Sequence, residues 1–406
     1  MKSLLQRFSV PYQYPVHFTT GVFAPENTVL TDTLKSAGDG PHRVLVVVDE
    51  GALDGNAGLR EKIDTYFRVH QDALRLVREP LVFAGGEAGK NGSQAYKMVQ
   101  AAIHQHGICR QSFVIAIGGG ALLDLVGYAA STSHRGVRLV RMPTTVLSQD
   151  DSGVGVKNSV NAFEKKNFLG TFTPPFAVIN DYAFLTSLSQ RDWIAGTSEA
   201  VKVALLKDPA FFDFMEAHAD KLVARDDAAM KHLVYRAAEL HLRHIGEGGD
   251  PFETLSSRPL DFGHWSAHKM EQLTNFDLRH GEAVAIGIAL DATYSYLDGL
   301  LAAADWKRIL ALLARLGFAL TLPEAIRRLG PAEDPGALLH GLIEFREHLG
   351  GQLTITLLRG IGKPVEVHQV DEDLVIAAAH LLRESCAHAR PPVQSPAAVS
   401  VQLSAV

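Results

Sequence analysis

Through the first half of the chain, short apolar runs alternate with amphipathic stretches. Residues 43–49 (RVLVVVD) form a β-branched run ending in an acid, and 81–83 (LVF) a second that stops at Gly85-Gly86. Residues 113–117 (FVIAI) run straight into Gly118-Gly119-Gly120, and 138–142 (RLVRM) are stopped by Pro143. Runs without polar alternation are expected of strands covered on both faces. Between them, residues 93–106 have apolar positions near helical spacing and end at Gly107. Strand, glycine turn, helix and strand in that order predict a parallel, Rossmann-like α/β sheet. From about Gln190 the period lengthens. Residues 191–206, 208–224, 228–245 and 303–316 read as helices, and strand signal returns only at 353–358 (LTITLL). The expected architecture is α/β plus all-α: a nucleotide-binding domain over 1–188 and a mostly helical domain over 189–388. A flexible tail over 389–406 is expected because Pro391, Pro392 and Pro396 stand there among small residues.

Composition narrows the function classes. The chain has 406 residues, 47% hydrophobic and 21% charged, enough for two cores. A formal net charge of −6 argues against nucleic acid as the main partner. Cys109 and Cys386 make no C-x-x-C pair, which excludes a cysteine-based zinc framework and fits a reducing compartment. Residues 1–13 lack the apolar core of a signal peptide, and the apolar stretch 113–130 is broken by three glycines and Asp124, so no membrane span is read. The chain reads as cytoplasmic.

The candidate chemistry begins at the strand ends. Three glycines directly after a strand let backbone N–H groups approach a pyrophosphate, and the following helix adds its positive end. The spacing is not G-x-G-x-x-G, and a simple tight turn is the bland alternative. Asp124, one turn into that helix among apolar neighbours, needs a partner, and a ligand hydroxyl can be one. Residues 85–90 (GGEAGK) offer Glu87 to a ribose and Lys90 to a phosphate, or form a solvated turn. Thr144 and Thr145 add hydroxyls after the fourth strand, on the same edge. Three polar loops at strand ends point to a dinucleotide crevice.

In the second half, Glu199 and Lys202 share a helix face, His264 and His268 lie at i, i+4, and His280 opens a further helix. One carboxylate with two histidines from separate helices is a usual ligand set for an open, zinc-like ion. A lone helical histidine is more often packed or solvated, and His218, His232, His241 and His244 are read so. Residues 151–157 (DSGVGVK) and 165–170 (KKNFLG) surround an irregular polar stretch whose Lys157, Lys166 and Asn167, with Arg135, suit a phosphate. Each alone reads equally as a solvated loop residue.

These residues resemble the 3-dehydroquinate synthase family of sugar-phosphate cyclases from about Val44 to Val370. The matching motifs, in the family's order, are Gly-Gly-Glu-x-x-Lys, Gly-Gly-Gly-x-x-x-Asp, Arg-Gly-Val, Pro-Thr-Thr, Asp-Ser-x-Val-Gly-x-Lys, Lys-Asn-x-x-Gly-x-Phe, Ser-Glu-Ala-Val-Lys, Gly-His-x-x-x-His and His-Gly-Glu-Ala-Val. The resemblance implies NAD and a divalent metal, zinc or cobalt, held by Glu199, His264 and His280, with His268 beside them. It implies that Asp49, Glu87, Lys90, Gly118, Gly119, Gly120, Asp124, Thr144, Thr145 and Lys166 contact NAD. Lys157, Asn167 and Lys202 would meet a sugar phosphate, and Asp151 belongs to the same motif as Lys157. Arg135 would reach the phosphate across a homodimer interface. The implied reaction oxidises a ring alcohol, eliminates phosphate, returns the hydride and closes a carbocycle by an intramolecular aldol step, so NAD is recycled.

Departures from the family bear on the substrate. Dehydroquinate-forming members carry Arg-x-x-Leu-Asn-x-Gly-His, where this chain has Asp261 for the asparagine and the arginine displaced by one position to Arg258. A lysine expected near Arg243 or His244 is missing, and a lysine pair before Gly350-Gly351 reads Arg346-Glu347. An acid at 261 repels a carboxylate, which favours a neutral sugar phosphate of the valiolone type. Residues 261–268 (DFGHWSAH) are also similar to cyclases of ebo-type clusters. Two rivals stand beside the cyclase. One is a glycerol-dehydrogenase-like or iron-type alcohol dehydrogenase, marked by net NADH formation. The other is a non-catalytic, cyclase-derived binding protein, marked by lack of metal.

Overall fold

The computed structural model describes residues 3–91, 94–163, 165–255 and 257–387, so the tail expected over 389–406 lies outside the described residues. The sheet strands are β1 (Val16–Thr19), β2 (His42–Asp49), β3 (Leu74–Leu76), β4 (Leu81–Phe83), β5 (Phe113–Gly118) and β6 (Arg138–Pro143). After a hairpin, β7 (Lys157–Ala162) and β8 (Lys165–Phe172), the last sheet strand β9 (Ala177–Asp181) follows. The seven-stranded sheet has the order β1-β9-β6-β5-β2-β3, with β4 continuing the β3 side of β2, and every pair is parallel. Two-residue alternation divides the core. Val44, Val46, Val48, Phe113, Ile115 and Ile117 pack with Ile63, Tyr66 and Phe67 on one face. Leu45, Val47, Val114 and Ala116 pack with Val99, Ile103, Leu123 and Val126 on the other. With helices on both faces, neither set of side chains has to be polar.

Four of these seven strands are legible as apolar runs; β1, β3 and β9 are not, the first two being only four and three residues long. The stretch expected to be irregular between Asp151 and Gly170 is instead largely the antiparallel hairpin β7–β8. Its strands carry Lys, Asn and Ser toward the cleft, so polar composition concealed the pairing. A fully buried Arg141 on β6 organises the approach to it, donating to the carbonyls of Gly153 (3.2 Å), Gly155 (2.8 Å) and Lys157 (2.6 Å) and to Asn158 Oδ1 (2.7 Å).

Helices dominate from Gln190 onward, joined by the antiparallel pair β10 (Ile355–Gly360) and β11 (Lys363–Val367). Residues 191–206, read as one helix, are two, Gln190–Ala195 and Thr197–Lys207. Gly196 sits at the break, where a Cβ would lie 2.3 Å from the backbone nitrogen of Leu147. The close approach packs the second helix under the first domain's loops. That helix is buried along nearly its whole length. The helix His280–Leu297 is apolar on nearly all sides and runs through the interior of this half. Among the described residues, no helix is long and apolar enough to cross a membrane.

Candidate active site

The sheet order reverses beside β2, whose neighbours are β4 on one side and β5 on the other. Ligands of open parallel sheets bind outside the strand ends at such a switch point. Asp49 ends β2 and caps the next helix, its Oδ1 accepting from Gly51 N (2.8 Å) and Ala52 N (3.4 Å). Gly85 and Gly118 make room for it: a Cβ on Gly85 would lie 2.3 Å from Asp49 Oδ2, and one on Gly118 2.9 Å from Asp49 Cβ. Burial pushes the Asp49 carboxyl up. The helix Gly120–Thr132 begins with no side-chain cap, so its first N–H groups are open to an anion. Gly119, Gly120, Thr144 and Thr145 line the same wall.

Lys90 and Asp124 meet each other at the cleft. Lys90 Nζ is buried and donates to Asp124 Oδ2 (2.8 Å), Asn167 Oδ1 (2.5 Å) and Ser159 Oγ (3.2 Å). Three acceptors use all three N–H bonds of the Lys90 ammonium and fix it against the hairpin and the helix Gly120–Thr132. Asp124 finds a partner in Lys90 through Oδ2 and still lines the cleft. Burial would raise the Glu87 carboxyl, but Lys166 (4.0 Å) and Lys90 (3.8 Å) together hold it below its usual value, and Asn161 Nδ2 donates to it at 3.0 Å.

Across the cleft, the helices Thr197–Lys207, His264–Leu273 and His280–Leu297 bring together Glu199, His264 and His280. Their ligand atoms lie within 4.8 Å of one another, with Glu199 Oε1 3.5 Å from His264 Nε2 and 3.3 Å from His280 Nε2. His264 Nδ1 donates to Phe262 O (3.1 Å) and His280 Nδ1 to Glu271 Oε2 (3.1 Å). With Nδ1 engaged, each imidazole turns Nε2 toward Glu199, the arrangement that orients metal-ligating histidines. Glu199 is 1% exposed, and neither carboxylate oxygen has a well-aligned hydrogen-bond donor. A divalent cation fits these oxygens, which face the two imidazoles and lie beside the Lys202 ammonium. Burial would raise the Glu199 carboxyl, but Lys202 (2.5 Å) and His264 hold it well below the usual range. His268 completes the cluster, and burial together with the Lys166 charge keeps its imidazole well below the ordinary value, hence neutral.

The turn that starts the His264 helix is anchored by Asp291, which accepts from Gly263 N (3.0 Å) and Trp265 Nε1 (2.9 Å). Burial pushes this carboxyl up to about 7. Because the folded value lies above the unfolded one, the native state binds the proton more tightly. Stability from this group is complete at low pH and is lost as pH rises from about 4 to about 7. Asp291→Asn is expected to flatten that part of the profile, read as urea midpoints between about pH 4 and 8. An unchanged slope would show that another group carries it.

The third wall is charged. Lys157 Nζ meets Glu253 Oε1 at 2.7 Å, and Arg258 Nε lies 3.9 Å from Glu253 Oε2. Burial would raise Asp261, yet Lys157, His264 and Arg258 hold it below its usual value. Asp151 sits in a π-helical turn, Ser148–Ser152, where His241 Nδ1 approaches its Oδ1 at 2.7 Å and Lys202 Nζ at 3.8 Å. These walls enclose a cleft of about 1000 Å³.

Family models for the 3-dehydroquinate synthase N-terminal and C-terminal regions match residues 80–195 and 196–331, together more than half of the chain. The chain belongs to the 3-dehydroquinate synthase family. A 2-epi-valiolone synthase of Actinosynnema mirum is 33% identical over 91% of this chain and 92% of its own length. A 3-dehydroquinate synthase of Ruegeria sp. is 35% identical over 81% of this chain and 88% of its own. Among solved structures, ValA (2-epi-5-epi-valiolone synthase) from Streptomyces hygroscopicus subsp. jinggangensis, with NAD+ and Zn2+ bound, is 30% identical. It superimposes with a TM-score of 0.81, covering 95% of this chain and 99% of its own. A 2-deoxy-scyllo-inosose synthase complexed with carbaglucose-6-phosphate, NAD+ and Co2+ shares the fold at 24% identity, with a TM-score of 0.72 over 91% and 96% of the two chains.

Within this family member, nearly all residues singled out in the sequence line the cleft, with three exceptions. Gly118 lies just beneath the wall and Glu199 at its buried floor. Arg135 is exposed, in a left-handed turn beyond the far end of the helix Gly120–Thr132, roughly 18 Å from that helix's open end. It is not brought into its own chain's cleft. His241, read as a packed or surface residue, instead lines the cleft on Asp151. Glu253 and Glu271 were not singled out at all. Glu271 had a signal, since His264, His268 and Glu271 follow i, i+4, i+7 on one helix face. Glu253 lies in a loop and had none.

Proposed function

We propose that this enzyme is an NAD- and divalent-metal-dependent carbon–oxygen lyase that eliminates phosphate from a heptulose-type sugar phosphate and closes the product into a carbocycle. The observation that carries the reading is the convergence of Glu199, His264 and His280 on one point of a cleft whose opposite wall is the switch-point crevice. Asp49, Glu87, Gly118, Gly119, Gly120, Asp124, Thr144, Thr145 and Lys166 would hold NAD, with Lys90 fixing Asp124 and Asn167 in place. Glu199, His264 and His280 would hold zinc or cobalt, leaving an open ligand position for substrate. When bound, NAD supplies reversible hydride transfer and the cation polarises alcohol and carbonyl oxygens.

The chain's own residues do the rest. Neutral His268, lining the cleft beside the two ligand histidines, can accept a proton from the substrate. Lys157, Lys202, Arg258 and Asn167 bind and orient the sugar and its phosphate. Asp151, tied to His241, keeps Lys202 charged. Asp261 and Glu253 neutralise part of that cationic wall, which suits hydroxyls better than a second anion. The family resemblance gives Arg135 to the phosphate of a neighbouring subunit in a homodimer, and its exposed position outside its own cleft is compatible with that role. The exposed Cys109 thiol fits a reducing cytoplasm. The nucleotide-binding part would end near residue 188, between β9 and the helix starting at Gln190.

The test is phosphate release and carbocycle formation with sedoheptulose 7-phosphate beside 3-deoxy-arabino-heptulosonate 7-phosphate. Turnover of the neutral sugar without accumulating NADH is expected. Turnover of the acid alone would overturn the neutral assignment, and oxidation of simple polyols with net NADH would overturn the lyase.

A further inference from the structure

Glu271 is 2% exposed on the helix His264–Leu273, and its two oxygens face in different directions. Oε2 takes the Nδ1 proton of His280 at 3.1 Å, and Oε1 takes Lys166 Nζ at 2.8 Å. Lys166 stands on β8, 105 residues away in sequence, and its ammonium also lies 4.0 Å from Glu87 Oε2. Glu87 opens the loop after β4 that borders the nucleotide crevice. A continuous chain of charged contacts thus runs from a ligand histidine in the helical half, through Glu271 and Lys166, to the glycine-rich loop of the sheet half. Glu271 also lies within 4.8 Å of both His268 and His280 nitrogens. Both its oxygens are already engaged, however, so it acts through His280 rather than as a ligand itself.

We infer that Glu271 is a positioning residue that couples cation binding to NAD binding across the cleft. The inference rests on the reading that both cofactors occupy this cleft. The physical basis is that one carboxylate orients His280 and anchors the cation that faces Glu87. Movement of the loop onto a nucleotide shifts Lys166, and with it the pull on the imidazole. An outer carboxylate of this type typically changes metal affinity by about 10- to 100-fold. Coupling between two ligands is reciprocal, and typical factors are about 5 to 150.

The experiment measures Zn2+ affinity by chelator competition, with and without NAD, and NAD affinity by fluorescence titration, with and without Zn2+. In the unsubstituted protein each ligand should raise the other's affinity by the same factor. Glu271→Gln should weaken Zn2+ about 10- to 100-fold and bring the coupling factor close to one. Glu271→Asp, which keeps the charge, should restore part of both. Lys166→Met keeps the Glu271–His280 contact but removes the link to Glu87, so the coupling factor should fall close to one whatever the Zn2+ affinity measured without NAD. A purely structural role would alter unfolding but not the coupling factor. Native Zn2+ affinity and coupling in Glu271→Gln, or native coupling in Lys166→Met, overturns the inference. An unsubstituted protein that binds neither ligand overturns the cofactor reading itself, and the two failures appear in different proteins.

Discussion

Glu199→Gln is expected to lower turnover by about a thousandfold or more and to leave the purified protein without stoichiometric metal. Glutamine keeps the shape of the side chain and removes its charge, leaving the two imidazoles as the remaining strong donors. A cation contributes several kcal/mol to polarising substrate oxygens, and each 1.36 kcal/mol is a factor of ten in rate. The carboxylate is 1% exposed, so no water replaces what the amide loses. The Lys202 ammonium, 2.5 Å away, keeps Asp151 at 3.8 Å as its remaining partner. Thermal unfolding of the variant distinguishes loss of the cation from loss of the fold. His264→Ala and His280→Ala should act in the same direction. Native metal content and native turnover in Glu199→Gln would remove the cation site from the reaction.

Asp261→Asn is expected to produce the second large change, in specificity rather than rate. The native enzyme should favour sedoheptulose 7-phosphate over 3-deoxy-arabino-heptulosonate 7-phosphate by about a hundredfold or more in kcat/KM. Juxtaposing like charges costs several kcal/mol, and two of those already correspond to more than a factor of ten. Lys157 and Arg258 keep Asp261 ionised despite its burial, so the repulsion is present at neutral pH. The asparagine variant should narrow the preference at least roughly tenfold, chiefly through better use of the acidic substrate. Glu253 remains in contact with Lys157, so the preference should shrink without inverting. Steady-state kinetics on both sugars read the result. An unchanged ratio would mean that Asp261 does not face the substrate's first carbon.

The sheet was legible wherever a run of β-branched residues was long enough to be covered on both faces, as in β2, β5 and β6. It was not legible in β7–β8, because strand residues facing a polar cleft have the composition of a loop. The glycine turn after β5 was visible locally. His264 and His268 were visible as an i, i+4 pair, but nothing near Glu199 marks its oxygens as lacking donors. The charge partners escaped for the same reason. Lys90 meets Asp124 34 residues on and Asn167 77 residues on, Asp151 meets His241 90 residues on, and Lys166 meets Glu271 105 residues on.

Periodicity and glycine placement therefore determined the two-part architecture and the polar loops at the strand ends. Those features arise from backbone geometry over a few turns or strands, which neighbouring residues encode. Tertiary structure decided which cations are free to meet a substrate and which are already neutralised. Ion pairing depends on separations of a few ångströms between side chains brought together by packing, and neither local spacing nor composition contains those distances.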